Sequence, residues 1–116
     1  MSEVKITVGG AMEEEAARRF VDAWHRGERG ETFHERHLAF ESWDALARVL
    51  TNKRMGLLRY VRRHDVASVG ALAKALGRDY RNVHADVQAL TAAGLLDATD
   101  GGVRADYDAI EAKIAI

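Results

Sequence analysis

The feature of this sequence that most restricts its fold is a very short connection between two capped helices. Ser68 is a suitable N-cap for the first helix, and Gly77 is a typical residue to end it. Asp79 can cap the second helix, which Gly94 then ends. Because only Gly77, Arg78 and Asp79 join the two helices, few arrangements of the pair are open to the chain. The residues expected to face inward are Val69, Leu72, Ala73, Leu76, Val83, Val87 and Leu90.

Two further helices precede this pair, and a hairpin follows it. Ser42 can cap a short helix, and Thr51 or Asn52 can cap the next one. After Gly94, two short apolar runs flank the turn pair Asp100-Gly101, which is typical of a β-hairpin. The inward residues expected in these two helices are Trp43, Leu46, Ala47, Leu50, Leu57, Leu58 and Val61.

The two ends of the chain carry strand patterns. Residues 3–8 alternate strictly between polar and apolar, residues 37–41 form a second predicted strand, and residues 110–116 alternate again. Between the first two strands, a helical period places Phe20 and Trp24 on one face. Strands and helices together predict an α+β fold.

Length and composition predict a single compact domain. The chain has 116 residues, of which 47% are hydrophobic and 30% charged. We divide it into a strand-helix-strand part at residues 1–41, a helical part with the hairpin at 42–105, and a C-terminal strand at 106–116. The absence of cysteine excludes disulfides, thiolate zinc sites and cysteine nucleophiles. Since no long apolar run or signal-peptide pattern is present, we expect a cytoplasmic protein with no membrane partner.

The charges are unevenly distributed along the chain. The net charge of −1 divides into −3 for residues 1–41, +4 for residues 42–104 and −2 for residues 105–116. A basic middle between acidic ends favours a polyanion as the partner of the helical part.

Four segments of the helical part resemble a known family. They are LTNKR at 50–54, SVGALA at 68–73, GRDYRNVHADVQAL at 77–90 and GLL at 94–96. These segments are similar to small predicted transcriptional regulators of bacteria and archaea with a MarR-like winged helix-turn-helix, some of which are identified as antitoxins. The resemblance covers residues 36–116 best. It implies a winged helix-turn-helix with an added N-terminal strand-helix-strand and a C-terminal strand, and double-stranded DNA as the partner.

A helix that reads DNA buries one face and presents short polar or basic groups on the other. In the helix that follows Asp79, Arg81 and Asn82 are the expected base-reading residues. Arg78, just before this helix, is an expected phosphate contact. The resemblance implies a basic residue at the position of Ala85 in many relatives, and this chain lacks it. The complete set of expected DNA-contacting residues is Arg78, Arg81, Asn82, His84, Gln88, Arg104, Lys53 and Arg54.

Other polar residues favour structural roles. Tyr80 lies three residues before Val83 and is expected to take a core or hydrophobic-staple role and not to stack on a base. Asp86 would repel phosphate, so we expect it to pair inward with Arg54 or Arg59. The arginines at 59, 62 and 63 are expected to be solvated.

No motif indicates an enzyme. His34 and His37 are three residues apart, but the segment is expected to be a loop entering a strand, not a helical metal-binding motif. The sequence contains no phosphate-binding loop and no nucleophile elbow. We therefore expect no catalytic residue, no metal site and no cofactor.

The apolar ends of the chain are expected to form a sheet that joins two chains, and the same surface could instead bind a partner protein such as a toxin. A winged-helix core closes without these ends, so their apolar residues need another partner. The expected dimer contacts are Val4, Ile6, Val8, Phe20, Trp24, Phe40, Ile114 and Ile116.

The favoured function is a sequence-specific DNA-binding transcriptional regulator, a dimeric repressor or autoregulator that could also serve as the antitoxin of a toxin protein. The alternative is a protein-interaction module that uses the winged-helix scaffold with weak or no DNA binding.

Overall fold

A computed structural model of the chain describes residues 2–9, 34–100 and 102–116. The predicted helix with Phe20 and Trp24 and the turn residue Gly101 lie outside the described residues. The elements are β1 (Ser2–Val8), β2 (His34–Phe40), α1 (Trp43–Val49), α2 (Asn52–Arg63), α3 (Val69–Leu76), α4 (Tyr80–Ala92), β3 (Asp97–Thr99), β4 (Gly102–Arg104) and β5 (Ala109–Ile114). The α+β fold is confirmed. Within the described residues, no helix is long and apolar enough to cross a membrane.

The chain divides into two compact units, where the length alone favoured one. The first unit comprises residues 1–46 and 107–116, and the second comprises residues 47–106. These boundaries lie close to those expected from the sequence at 41/42 and 105/106.

In its described residues, the first unit contains a parallel sheet of three strands in the order β2-β1-β5. Val4, Ile6 and Val8 occupy one face of the central strand and are 0%, 1% and 2% exposed. Thr7 is buried as well, as suits a central strand. Because the chain itself buries these three aliphatic side chains, they are core residues and not the dimer contacts that their alternation suggested.

The second strand is longer than its apolar pattern indicated. β2 begins at His34, and it pairs with β1 from Ser2↔His34 to Val8↔Phe40. The expected loop at residues 34–36 is therefore part of the strand, because backbone pairing with β1 continues past the apolar alternation. Within β2, His37 Nε2 lies 3.2 Å from Glu35 Oε2.

The helices begin at the residues that the sequence indicated. The side chains of Ser42, Thr51, Ser68 and Asp79 each accept a hydrogen bond from a backbone N–H in the first turn that follows. The expected inward residues that are buried are Leu46, Leu57, Leu58, Val61, Leu72, Ala73, Val83, Val87 and Leu90.

Two aromatic residues depart from the expected packing. Trp43 is 58% exposed, since the two-turn helix α1 buries only Leu46 of its side chains. Tyr80 is 53% exposed, because the buried face of α4 is occupied by its aliphatic residues. Tyr80 is therefore a surface residue and not the core residue expected.

The hairpin of β3 and β4 closes the second unit. It pairs Asp97↔Arg104 and Thr99↔Gly102, and Val103 forms a further bridge to Val66. The N–H of Val103 donates to the carbonyl oxygen of Val66 at 3.0 Å. Gly102 has φ +119°, and a Cβ added there would overlap that same carbonyl oxygen. Glycine is therefore required where the hairpin meets residue 66.

Candidate functional site

The turn between α3 and α4 fixes where α4 begins. Gly77 adopts the left-handed conformation at φ 64° and donates its N–H to Lys74, while Arg78 donates its N–H to Ala73 at 3.0 Å. This pair of hydrogen bonds is a Schellman motif, which ends α3. Asp79 Oδ1 then accepts from the N–H of Arg81 at 2.9 Å and starts α4.

The two sides of α4 differ sharply in exposure. Val83, Val87 and Leu90 are 0%, 3% and 0% exposed and anchor the helix to its own unit. The opposite side presents exposed residues from the first turns onward, namely Arg81, Asn82, Ala85 and Gln88. The structure therefore brings four of the expected DNA-contacting residues, Arg81, Asn82, His84 and Gln88, onto one anchored helix.

An aromatic pair lies beside these residues. The rings of Tyr80 and His84 are stacked, with centroids 5.7 Å apart and an interplanar angle of 30°. His84 was expected in the site, whereas Tyr80 was not. The sequence spacing could have indicated this pair, because Tyr80 lies four residues before His84 and therefore on the same side of the helix. The inward face of the helix is formed by aliphatic residues without Tyr80.

Asp86 holds two arginines in a partly buried cluster. Its Oδ1 accepts from Arg54 Nε at 3.0 Å, and its Oδ2 accepts from Arg78 Nη2 at 2.8 Å. The side chains of Asp86, Arg54 and Arg78 are 14%, 18% and 20% exposed. The predicted pairing of Asp86 with Arg54 is confirmed, and Arg78 takes the place of the alternative partner, Arg59.

Arg54 also connects α4 to the end of α1. Its Nη1 donates to the carbonyl oxygens of Arg48 and Val49 at 3.0 and 3.1 Å. These carbonyls belong to the last turn of α1, where a positive charge is favourable. Arg54 and Arg78 therefore lie in a partly buried cluster and not on the exposed surface where their DNA contacts were expected.

The cluster also determines the charge state of Asp86. Burial of the carboxylate acts to raise its pKa, but it is outweighed by hydrogen bonds from Arg78 and Arg54 and by the attraction of their positive charges. The pKa of Asp86 therefore lies below its ordinary value of 3.8. At neutral pH the group is a carboxylate facing two guanidinium groups.

The other two expected contacts lie on separate elements. Lys53 is exposed in the first turn of α2. Arg104 lies on β4, where its side chain is 67% exposed and its Nη2 is 3.3 Å from Asp106 Oδ1. Such an exposed ion pair is weak, so Arg104 can exchange Asp106 for another anion at little cost.

A cleft of about 510 Å³ lies between the end of α2 and β4. Its lining alternates basic and acidic groups, with Arg62, Arg63 and Arg104 beside Asp65 and Asp106. Across the described part of the chain, no three histidine, aspartate or glutamate side chains converge as metal ligands do.

The expected dimer residues have different surroundings. Phe40 is half-buried at the end of β2, while Ile114 and Ile116 are among the exposed large hydrophobic residues. Their contact with a second chain stays a prediction.

Comparison with known proteins identifies a family for part of the chain. The sequence model of the HVO_A0114 family matches residues 49–112, more than half of the chain. The match runs from the end of α1 into β5 and includes α4 and the cluster around Asp86. No curated protein sequence and no solved structure is significantly similar to the chain.

Proposed function

We propose that this chain, which belongs to the HVO_A0114 family, is a sequence-specific DNA-binding transcriptional regulator that acts as a homodimeric repressor or autoregulator. In this proposal residues 42–105 form a winged helix-turn-helix, with α4 as its recognition helix and the β3–β4 hairpin as its wing. The observation that carries the proposal is the exposure of Arg81, Asn82 and Gln88 on a helix whose opposite face is buried.

The chemistry of these side chains suits the major groove of DNA. An arginine can donate two hydrogen bonds to guanine, and asparagine or glutamine can pair in the same way with adenine. The major groove accepts an α-helix whose N-terminal residues contact the base edges. Arg81 and Asn82 are the second and third residues of α4, so they are the proposed base readers.

The proposed phosphate contacts are fewer than the sequence suggested. Lys53 and Arg104 remain available, because each is exposed, whereas Arg54 and Arg78 are held by Asp86. We assign Arg54 and Arg78 the role of holding α4 against α1 and α2. With few phosphate contacts, the affinity should fall less steeply with salt than that of a strongly basic DNA-binding protein.

A fluorescence-anisotropy titration tests this proposal. The protein is titrated against duplex DNA from upstream of its own gene and against a scrambled duplex of equal length, at low and at moderate salt. The wild type is expected to prefer the native duplex. Arg81→Ala is expected to reduce that preference by about tenfold or more, since one bidentate base contact contributes roughly 1–3 kcal/mol of discrimination.

Arg59→Ala is the matched control, because it removes the same charge from an exposed position on α2. It should leave the preference between the two duplexes intact. Equal binding of both duplexes by the wild type, or an unchanged preference in Arg81→Ala, would contradict base reading by α4.

The second candidate function is a protein-interaction module on the same scaffold, with a toxin as one such partner. The engagement of Arg54 and Arg78 by Asp86 favours it, because it reduces the positive charge offered to DNA. Binding of neither duplex at moderate salt would support this candidate.

A further inference from the structure

The strand β5 forms an edge of the parallel sheet in the first unit. It pairs with β1 on one side, and within the described residues no strand lies on its other side. Its side chains are largely exposed, including Glu111 at 68% and Ile114 at 43%. A long exposed edge of this kind is a template for pairing with another strand.

The backbone of β5 presents regularly spaced hydrogen-bonding groups along this edge. The N–H of Ala115 donates to Val8 of β1 at 3.1 Å. Because successive residues of a strand point their backbone groups to opposite sides, residues 111 and 113 also face β1. The N–H and C=O groups of Ile110, Ala112 and Ile114 therefore face away from β1.

The sequence of β5 is self-complementary about Ala112. In an antiparallel pair of two β5 strands centred on this residue, Ile110 of one copy lies opposite Ile114 of the other, and Glu111 lies opposite Lys113. The outward backbone groups fall at the hydrogen-bonded positions of this register. Glu111 and Lys113 fall at the positions where facing side chains come closest, so opposite charges meet twice.

The faces of the sheet agree with this register. Glu111 lies on the same face of the sheet as Lys5, and the carboxylate of Glu111 is 3.7 Å from Lys5 Nζ. Ile110 and Ile114 lie on the opposite, apolar face, where they are paired with Val4 and Val8. When two β5 strands pair in this register, the apolar faces of the two sheets therefore lie on the same side of the combined sheet.

We propose that two copies of this chain associate along β5, antiparallel about Ala112, to form one six-stranded sheet with two reciprocal Glu111–Lys113 ion pairs. This inference rests on the homodimer of the proposed function and specifies how the dimer forms. A lysine on an edge strand can instead protect it from association, and that role predicts a monomer.

Charge exchange at these two positions tests the register by sedimentation velocity over a range of concentrations. Glu111→Lys and Lys113→Glu are each expected to weaken the dimer by about tenfold or more, because two attractions become two repulsions. The double variant should recover the wild-type dissociation constant to within about threefold. An equimolar mixture of the two single variants should form a heterodimer, since one strand is then all-basic and the other all-acidic at these positions.

The variants also separate folding from association. Glu111→Lys brings the introduced lysine close to Lys5, so urea denaturation of each variant is measured beside its sedimentation to show that the fold is retained. Ala112→Pro is a second route, because it removes one outward N–H while leaving the pairing with β1. It should abolish the dimer while the far-UV circular dichroism spectrum is unchanged.

A monomeric wild type at all concentrations, or single variants that dimerise as well as the wild type, would overturn the proposed pairing. Binding of a half-site duplex by each variant is measured in parallel. Retained half-site binding by a monomer separates failure of the β5 pairing from failure of the DNA-binding function.

Discussion

Replacing Asp86 with alanine would leave two arginine side chains facing each other in a partly buried site. The wild-type carboxylate accepts hydrogen bonds of 3.0 and 2.8 Å from Arg54 and Arg78. Hydrogen bonds to charged groups contribute roughly 1.5–3 kcal/mol each. Since the three side chains retain 14–20% exposure, we take the lower end for both bonds and expect Asp86→Ala to reduce the free energy of unfolding by about 3 kcal/mol.

Urea denaturation near neutral pH, followed by far-UV circular dichroism, measures this loss. The matched control is Asp106→Ala, which removes an exposed acid 3.3 Å from Arg104, with side chains 54% and 67% exposed. This control should cost less than about 0.5 kcal/mol. A loss for Asp86→Ala of the same size as the control would refute the assignment of the cluster as a structural element.

The effect should also depend on pH in a defined direction. The pKa of Asp86 is lowered in the folded protein, so the stability that it contributes is fully present above the unfolded-state pKa, near 3.8. This contribution is lost as the pH falls through the folded-state pKa. The difference in unfolding free energy between wild type and Asp86→Ala should therefore stay constant from neutral pH to about pH 5 and shrink below about pH 4. A difference that grows with acidification would contradict this sign.

Further predictions concern single backbone positions. Asp79→Ala removes the hydrogen bond to the N–H of Arg81 at the start of α4 and should cost about 1 kcal/mol in urea denaturation; an unchanged midpoint would argue against the cap. Gly102→Ala should cost more than about 2 kcal/mol, because the added methyl group overlaps the carbonyl oxygen of Val66 at a φ of +119°. Gly56→Ala is its control, since a Cβ there meets no atom within 4 Å, and it should stabilise α2 by about 0.5–1 kcal/mol. Similar losses for both glycine variants would contradict the role given to Gly102.

The helix boundaries could be predicted because capping is local. Ser42, Thr51 and Ser68 each bind an N–H three residues ahead, and Asp79 binds one two residues ahead. Such contacts depend on the residue type and a short spacing, both of which are visible in the sequence.

The partners of Asp86 could be predicted only in part. An acid in the middle of a basic helix indicated an inward ion pair, but the choice among Arg54, Arg59 and Arg78 depends on how α2 and α4 pack. Arg78 precedes α4, and its position in the turn after Gly77 brings it back to Asp86. Helical periodicity does not describe such a turn, so the sequence pattern could not indicate the contact between Arg78 and Asp86.

The sheet shows a different limit of sequence reasoning. Alternation identified β1 and β5 as strands, yet it could not reveal that β1 is central and pairs in parallel with both neighbours. Nor could it distinguish an apolar face covered by its own chain from one covered by a second chain. Val4, Ile6 and Val8 are of the first kind, and the exposed Ile114 is a candidate for the second.

If the exposed side of α4 contacts DNA, its backbone amides respond when DNA is added, and an NMR titration measures that response residue by residue. Nitrogen-15-labelled protein is titrated with duplex DNA from upstream of its own gene at moderate salt, and the shift of each backbone amide is recorded. We expect the largest shifts on Arg81, Asn82 and Gln88, with Arg104 of the hairpin responding at the same protein-to-DNA ratio. Shifts that leave α4 unchanged, or no shift at any ratio, would contradict DNA contact by α4.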